Sequence, residues 1–227
     1  MLRRLTAAFI CFLMLCVAPA LSFDAPQSLS NADAVVLKPY KPTVFVNFTL
    51  VRRIFCAKPT EESGSIGTGV VISENVIMTA AHVLVEPTCL DVGASAPLTI
   101  LYIDRVHDIA FLRINDVTFK NWFNTSCFGF QPNKEYAAIG YRYGDDLVET
   151  HVVATDFFSP DFAFTQEGSA APHLRLMLGD IYKGMSGGPI VDEDGVVVGL
   201  NTATDNKGAG FSREIRDTIL CNSKHSD

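Results

Sequence analysis

The chain has 227 residues, of which 48% are hydrophobic and 19% are charged, and its formal net charge is −7. This length and apolar content suffice for a sizeable buried core and exclude an intrinsically disordered polypeptide. The acidic balance argues against a nucleic-acid partner, because binding to a phosphate backbone needs a surplus of Lys and Arg. We therefore expect a globular protein that binds no nucleic acid.

Residues 1–22 have the three-part pattern of a secretory signal peptide. Two arginines near the start precede an apolar stretch over residues 5–17, and small residues follow around Ala20 and Ser22. An uncleaved membrane anchor is the alternative, but the apolar stretch is shorter than the roughly 20 residues of a spanning helix. We expect cleavage near Ala20 or Ser22, a secreted or periplasmic protein, and no membrane attachment afterwards.

The elements expected after this leader are short strands. Residues 23–42 are a loosely ordered lead-in, and the first group of strands is expected at 44–51, 68–72, 76–79, 98–103 and 109–114. The second group is expected at 136–141, 148–155, 173–178, 189–191, 196–202 and 210–211, followed by a helical tail at 213–220. Many short strands separated by turns favour a barrel or sandwich over a parallel α/β sheet.

Four cysteines follow the leader, at Cys56, Cys89, Cys127 and Cys221. An even number in an exported chain favours two disulfides, although four cysteines allow three pairings that sequence alone does not separate. Buried free thiols are the alternative, which an oxidising compartment disfavours. Because no C-x-x-C or H-E-x-x-H spacing occurs, we expect neither a metal site nor a cofactor.

The most informative run, residues 184–189, reads G-M-S-G-G-P and places Ser186 between glycines. By itself such a run is more typical of a β-turn than of a catalytic site. A serine hydroxyl is a weak nucleophile, so catalysis would need a neighbouring base and a site that stabilises an oxyanion. The run also fits the G-x-S-x-G elbow of α/β-hydrolases, whose acid and histidine follow the serine. Here only His225 follows, close to the end of the sequence, so the elbow interpretation fails on residue order.

Two upstream segments supply candidate partners for this serine. Residues 79–82 read T-A-A-H after a strand-like run, and Asp108 precedes the apolar run 109–112. Because that apolar run would bury the carboxylate, Asp108 suits the role of an acid that orients a base. The resulting order of His82, Asp108 and Ser186 is that of the chymotrypsin template.

Other residues compete for both roles. His107, His151 and His173 are alternative bases, although none of them follows a T-A-A segment. Asp91 and Asp104 are alternative acids, which could be loop carboxylates near the same edge of the sheet. These five residues are the alternatives that a structure has to separate.

The three segments, taken in this order, resemble the signature blocks of trypsin-like serine proteases. The resemblance covers about residues 43–215, since 67–72 is similar to the strand before the histidine and 199–202 to the substrate-binding strand after the serine. Residues 208–211 are similar to the glycine-rich pocket strand of the bacterial and HtrA-like branch of this family. Met185, directly before the serine, also favours that branch. HtrA-type enzymes carry a PDZ domain after the protease domain, and none is expected here, because the sequence ends shortly afterwards.

The resemblance implies an all-β fold of two packed, antiparallel, six-stranded β-barrels with a short C-terminal helix. It assigns residues 43–227 to one protease domain, with the N-terminal barrel at 43–115, a linker at 116–133, and the C-terminal barrel and helix at 134–227. The histidine and aspartate then belong to the first barrel and the serine to the second. The site is therefore expected in the cleft between the barrels.

The resemblance also implies a role for each site residue. Ser186 would attack the scissile carbonyl, His82 would take its proton, and Asp108 would orient His82. The backbone amides of Gly184 and Ser186 would form the oxyanion hole. A disulfide across the histidine loop, as is frequent in this family, would join Cys56 to Cys89 and leave Cys127 with Cys221.

The substrate-binding residues are less clearly marked. Asp180 lies six residues before Ser186, where trypsin-like enzymes place the aspartate that binds Lys or Arg, but it also fits a solvated turn. Thr204 stands where the family often has glycine and would narrow the pocket, which would favour Ala or Val. Thr202 is expected to hydrogen-bond an extended substrate, and Gly210 belongs to the pocket strand.

We expect a monomeric, exported serine endopeptidase that acts on protein or peptide substrates. A protease-fold binding protein without activity is the first alternative, although a complete set of three site residues argues against it. Esterase or acyl-transfer activity at the same site is the second alternative, because an oxyanion hole does not require an amide substrate.

Overall fold

The computed structural model describes residues 46–57, 64–85, 88–159, 162–163, 170–171, 174–204 and 208–222. The expected leader, residues 1–22, and the lead-in, residues 23–42, lie outside the described residues. Within these ranges, no helix has both the length and the apolar character needed to cross a membrane.

Six antiparallel strands close the first barrel in the order β1-β2-β3-β6-β5-β4. Their bounds are β1 Val51–Ala57, β2 Gly64–Val71, β3 Val76–Thr79, β4 Thr88–Asp91, β5 Ala96–Asp104 and β6 Ile109–Ile114. Apolar side chains such as Ile54, Ile77 and Leu112 are fully buried in the core. Closure of the sheet leaves no unpaired edge strand.

The second barrel is also closed, in the order β11-β14-β13-β12-β7-β8, and a separate two-stranded sheet pairs β9 with β10. The bounds are β7 Glu135–Arg142, β8 Asp146–Ser159, β9 Phe162–Ala163, β10 Ala170–Ala171, β11 Leu174–Gly179, β12 Pro189–Val191, β13 Val197–Thr204 and β14 Ala209–Glu214. A four-residue helix, α1, follows at Ile219–Asn222. The predicted pair of six-stranded barrels with a short C-terminal helix is confirmed.

Several predicted bounds are wrong. In the described part of the strand expected at 44–51, the Asn47 side chain accepts the amide of Thr49 and begins a 3-10 turn, so β1 starts only at Val51. The predicted helical tail starts too early, because β14 continues to Glu214. Strands β4, β9 and β10 were not predicted, because segments of four residues or fewer are often too short to show a strand pattern.

The segment expected to link the barrels, residues 116–133, hydrogen-bonds to both of them. The Phe123 amide donates to the Val71 carbonyl of the first barrel, and the Ser126 amide donates to the Val197 carbonyl of the second. Phe123 itself is buried. The connection therefore packs against the two barrels along its course.

Both disulfides join the cysteines expected to pair. Cys56 of β1 is bonded to Cys89 of β4, its cross-strand neighbour, so this bridge lies within the first barrel. Cys127 of the connecting segment is bonded to Cys221 of α1. The second bridge therefore ties the C-terminal helix to the segment between the barrels.

Candidate active site

His82 and Asp108 meet because their strands are neighbours in the first barrel. His82 lies in a 3-10 turn directly after β3, and Asp108 directly precedes β6, which pairs with β3 in antiparallel register. The Asp108 Oδ2 atom lies 2.9 Å from His82 Nδ1, and Oδ1 accepts the His82 backbone amide at 2.9 Å. Asp108 is 2% exposed, whereas the His82 side chain retains 26% exposure. A buried carboxylate thus fixes one edge of a partly accessible imidazole.

The alternative acids and bases are engaged elsewhere. Asp91 accepts two hydrogen bonds from Arg52, at 2.6 and 2.8 Å, and the Asp104 carboxylate lies 2.7 Å from the ring Nδ1 of His107. His151 lies 3.2 Å from a carboxylate oxygen of Glu135, in the second barrel. His173 lies outside the described residues.

Ser186 lies in the loop between β11 and β12, in which two glycines have left-handed backbone conformations. Gly184 has a φ of +89° and Gly187 a φ of +82°. A Cβ atom on Gly187 would lie 2.1 Å from Thr79 Oγ1, so this position has room only for glycine. The serine loop can therefore pack directly against the T-A-A-H segment that carries the histidine.

Thr68 of β2 holds the serine loop to the first barrel, a role that sequence analysis missed. Its amide donates to the Ser186 carbonyl and its hydroxyl donates to the Gly184 carbonyl, both at 2.7 Å. The same hydroxyl accepts the Tyr141 amide of β7 at 2.9 Å. The only signal in the sequence is a threonine between two glycines, directly before a pair of valines.

Two backbone amides around Gly184 have no acceptor among the residues that the structure describes. The Tyr143 amide, at the tip of the β7–β8 hairpin, donates to the carbonyl of the residue before Gly184 at 2.6 Å. The amides of Met185 and Gly187 donate to other backbone carbonyls. Across the described ranges, the amides of Gly184 and Ser186 donate to no other residue.

Thr202 contacts the serine through its backbone. It lies in β13 at an irregularity in the pairing with β14, and its carbonyl accepts the Ser186 hydroxyl at 3.2 Å. In this structure the carbonyl expected to bind substrate is therefore bonded to the serine.

Asp180, the candidate for binding Lys or Arg, lies in the loop after β11. It is exposed, as in the solvated turn that was its alternative. The next residue, Ile181, is 4% exposed, and a Cβ atom on Gly210 would lie 2.5 Å from its Cδ1 atom. An apolar side chain thus covers the pocket strand at the position where a carboxylate was considered.

Thr204, expected to narrow the pocket, lies beside Ile181. Its hydroxyl donates to the Ile181 carbonyl at 2.5 Å, which places the threonine against the loop that carries Ile181. Ile181 was not predicted, because a single apolar residue in a loop forms no periodic pattern. Its signal is an isoleucine in a polar, glycine-flanked loop.

Known proteins resemble both the sequence and the fold. Residues 67–200 match the family model described as trypsin-like peptidase domain. Serine protease HTRA1A of Danio rerio is 31% identical over 209 residues, which are 83% of this chain and 41% of that protein. Serine protease HTRA2, mitochondrial, of Drosophila grimshawi is 29% identical over 201 residues, 84% of this chain and 44% of that protein. The chain therefore spans less than half the length of these relatives.

Among solved structures, the active form of the Rv3671c protease from M. tuberculosis superposes with a TM-score of 0.69. The two chains are 21% identical, and the match covers 82% of this chain and 84% of that one. At this identity the likeness concerns the fold alone. Since the family model matches more than half of the sequence and the two closed barrels are present, the chain belongs to the trypsin-like peptidase domain family.

Proposed function

We propose that the chain is a serine endopeptidase that cleaves polypeptides through an acyl-enzyme. Ser186 attacks the scissile carbonyl, His82 takes the hydroxyl proton and passes it to the leaving amine, and Asp108 stabilises the imidazolium. The amides of Gly184 and Ser186 bind the oxyanion. His82 then takes a proton from a water molecule, which attacks the acyl-enzyme and releases the second product. The observation that carries this proposal is that the buried Asp108 carboxylate accepts hydrogen bonds from two nitrogens of His82, the ring Nδ1 and the backbone amide.

This contact supports a defined tautomer of the base. An ionised carboxylate only accepts hydrogen bonds, so the proton of neutral His82 resides on Nδ1, facing Asp108. The lone pair of the imidazole is then on Nε2, the atom that receives the serine proton. The second hydrogen bond, from the His82 amide to Asp108, restricts rotation of the carboxylate.

The serine must change its hydrogen bond before it reacts. In the resting arrangement its hydroxyl donates to the Thr202 carbonyl at 3.2 Å, the long end of the range for O–H donors. A rotation about the side-chain bond turns the hydroxyl towards His82 and frees the Thr202 carbonyl for an extended substrate.

The pocket residues support cleavage after small or medium apolar residues. The exposed Asp180 is hydrated without a substrate, so it gains little from a cationic side chain. Ile181 is buried beside Gly210 of the strand expected to line the pocket, so apolar volume lies where a charged group would be needed to bind Lys or Arg. This preference replaces the Lys or Arg specificity that Asp180 suggested.

Export from the cytoplasm is part of the proposal. The leader pattern over residues 1–22 and the two disulfides both support an oxidising compartment. The substrates are then proteins or peptides of the periplasm or the extracellular space.

Digestion of an unfolded protein such as casein tests the proposal. The chain beginning after residue 22 is expected to produce peptides, identified by mass spectrometry, and Ser186→Ala is expected to lower turnover by about 10⁶-fold, as in another serine protease. Hydrolysis of a nitrophenyl ester without any casein cleavage would assign the site to acyl transfer instead. Retention of casein cleavage by Ser186→Ala would refute the role of this serine.

A further inference from the structure

A second histidine–aspartate pair lies in the turn that leads to Asp108. Asp104 ends β5 and is the register partner of Ile109, so the two residues bound the turn between β5 and β6. The Asp104 Oδ2 atom lies 2.7 Å from His107 Nδ1. Its Oδ1 atom accepts the backbone amides of Val106 and His107, both at 3.0 Å. One carboxylate therefore makes three hydrogen bonds inside this turn.

The turn has to hold an unusual backbone conformation. Asp108 has a φ of +53°, in the left-handed region that a non-glycine residue adopts only at an energetic cost. Such a conformation persists where surrounding contacts determine it. The hydrogen bonds of Asp104 lie immediately before it in the chain, and they fix the direction from which Asp108 approaches His82.

The same turn also contacts the segment that carries His82. Arg105 donates from its guanidinium to the Leu84 carbonyl at 3.3 Å. The Leu84 amide in turn closes the 3-10 turn around His82 by donating to Ala81. The turn that precedes Asp108 is therefore hydrogen-bonded to the segment that carries His82, and the acid and the base are held by one connected set of residues.

The charge of Asp104 is maintained at neutral pH. Burial raises the pKa of Asp104, but hydrogen bonds from His107 and Val106 outweigh it and leave the pKa below its ordinary value. The Tyr102 hydroxyl, 3.5 Å from Oδ2, is the other titratable group facing this carboxylate. The anionic form, which accepts all three hydrogen bonds, is therefore the form that is present.

We propose that Asp104 and His107 are positioning residues that hold the β5–β6 turn and, through it, hold Asp108 against His82. The inference rests on the proposed function, because it takes Asp108 as the acid of the site. It also makes a structural claim, the dependence of the His82–Asp108 contact on Asp104, that is measurable without any activity.

The first test is a double-mutant cycle on the rate of labelling by a fluorophosphonate, with Asp104→Ala and Asp108→Ala as its two changes. Asp104→Ala is expected to slow labelling on the order of 10- to 100-fold, as a misplaced catalytic group does. In the Asp108→Ala background the same change is expected to have little effect, since no acid is left to position. Asp104→Asn, which keeps an oxygen for the two amides, is expected to restore part of the rate.

A matched control removes another histidine–carboxylate pair. Glu135→Ala breaks the 3.2 Å contact with His151 in the second barrel and is expected to label at the wild-type rate. Thermal unfolding of each variant supplies the folded fraction by which its rate is corrected. An equal loss from Asp104→Ala in both backgrounds, or no loss at all, would overturn the inference.

The second test reads the contact itself. A proton held between His82 Nδ1 and Asp108 gives a low-field resonance in the proton NMR spectrum, which Asp108→Ala removes and so identifies. Asp104→Ala is expected to weaken or broaden this resonance, and Glu135→Ala to leave it unchanged. An unchanged resonance in Asp104→Ala would overturn the inference. If wild type is not labelled but the resonance responds as expected, the proposed function fails while the positioning role stands.

Discussion

At the residue scale, the site depends on a glycine whose neighbours leave no room for a side chain. Gly187 combines a φ of +82° with a Cβ position 2.1 Å from Thr79 Oγ1, so Gly187→Ala adds a steric clash to backbone strain. We expect this substitution to destabilise the fold by more than the ~1–3 kcal/mol of strain alone. Urea unfolding measures the difference.

Gly208 provides the matched control for that experiment. Its φ of +96° is also left-handed, but nothing lies within 4 Å of its Cβ position. Gly208→Ala therefore reports strain without a clash. Equal losses from the two substitutions would show that the contact between the serine loop and Thr79 contributes nothing.

Ile181 and Asp180 give the second residue-scale prediction. Ile181→Ala removes apolar volume beside Gly210, so cleavage is expected to shift towards larger apolar residues before the scissile bond. Asp180→Ser is expected to leave the profile unchanged, because the carboxylate is exposed. A peptide-library profile measures both variants. Collapse of a Lys or Arg preference in Asp180→Ser would contradict the apolar pocket.

The residues that sequence could identify are those with a local pattern. The juxtaposition of His82 and Asp108 was predictable because each follows or precedes a strand in a recognisable run. Thr68 and Ile181 were not predictable, because their importance comes from contacts between distant segments: Thr68 bonds to Gly184, 116 residues away, and Ile181 to Thr204, 23 residues away. The two interpretations of Asp180 could not be separated, since sequence spacing says nothing about whether a loop carboxylate faces solvent.

At the scale of elements, a buried ion pair joins two strands of the second barrel. Arg175 of β11 donates to Glu214 of β14 at 2.8 and 3.1 Å, and the two side chains are 5% and 0% exposed. Glu214→Ala is expected to cost about 3–5 kcal/mol of unfolding free energy, because a buried guanidinium loses its partner. Glu193→Ala, which breaks an exposed pair with Lys134, is expected to cost at most about 1 kcal/mol. Similar losses in both variants would contradict this account.

The β5–β6 turn gives a prediction for the pH dependence of stability. Asp104 has a folded-state pKa below its ordinary value of 3.8, so it stabilises the fold above that pH, and the contribution is lost as the pH falls through the folded pKa. Urea unfolding of wild type and Asp104→Asn is expected to differ by a constant amount from neutral pH to about pH 5. The difference is expected to shrink at lower pH. If the stability difference between wild type and Asp104→Asn grew as the pH fell, the predicted contribution of Asp104 would have the wrong sign.

Sequence patterns predicted the class of these elements better than their number or their ends, since 11 strands were expected and 14 are described. Largely continuous apolar runs marked β6 and β7, whose bounds agree to within one residue. The end of β14 was missed because its last residues, Arg213 and Glu214, are charged but buried. Such burial depends on partners across the barrel, which a local pattern does not contain.

At the scale of the whole molecule, the two disulfides close loops of different length. Cys127–Cys221 spans 94 residues and Cys56–Cys89 spans 33, so the chain-entropy model assigns the longer loop about 1 kcal/mol more stabilisation. Replacing both cysteines of the longer loop by alanine is expected to lower stability more than replacing both of the shorter one. Thermal unfolding of the two double variants measures the two losses of stability. A larger loss from opening the shorter loop would contradict the chain-entropy model.

The central claim is that one serine of this chain is activated by His82 and Asp108. Its most direct measurement is the intact mass of the chain after reaction with a fluorophosphonate, followed by mapping of the modified peptide. The account predicts a single adduct on Ser186, none on Ser186→Ala, and labelling slowed by roughly 10⁴-fold in Asp108→Asn, the magnitude known for a trypsin-type enzyme. An adduct on another serine, or undiminished labelling of Ser186→Ala, would contradict it.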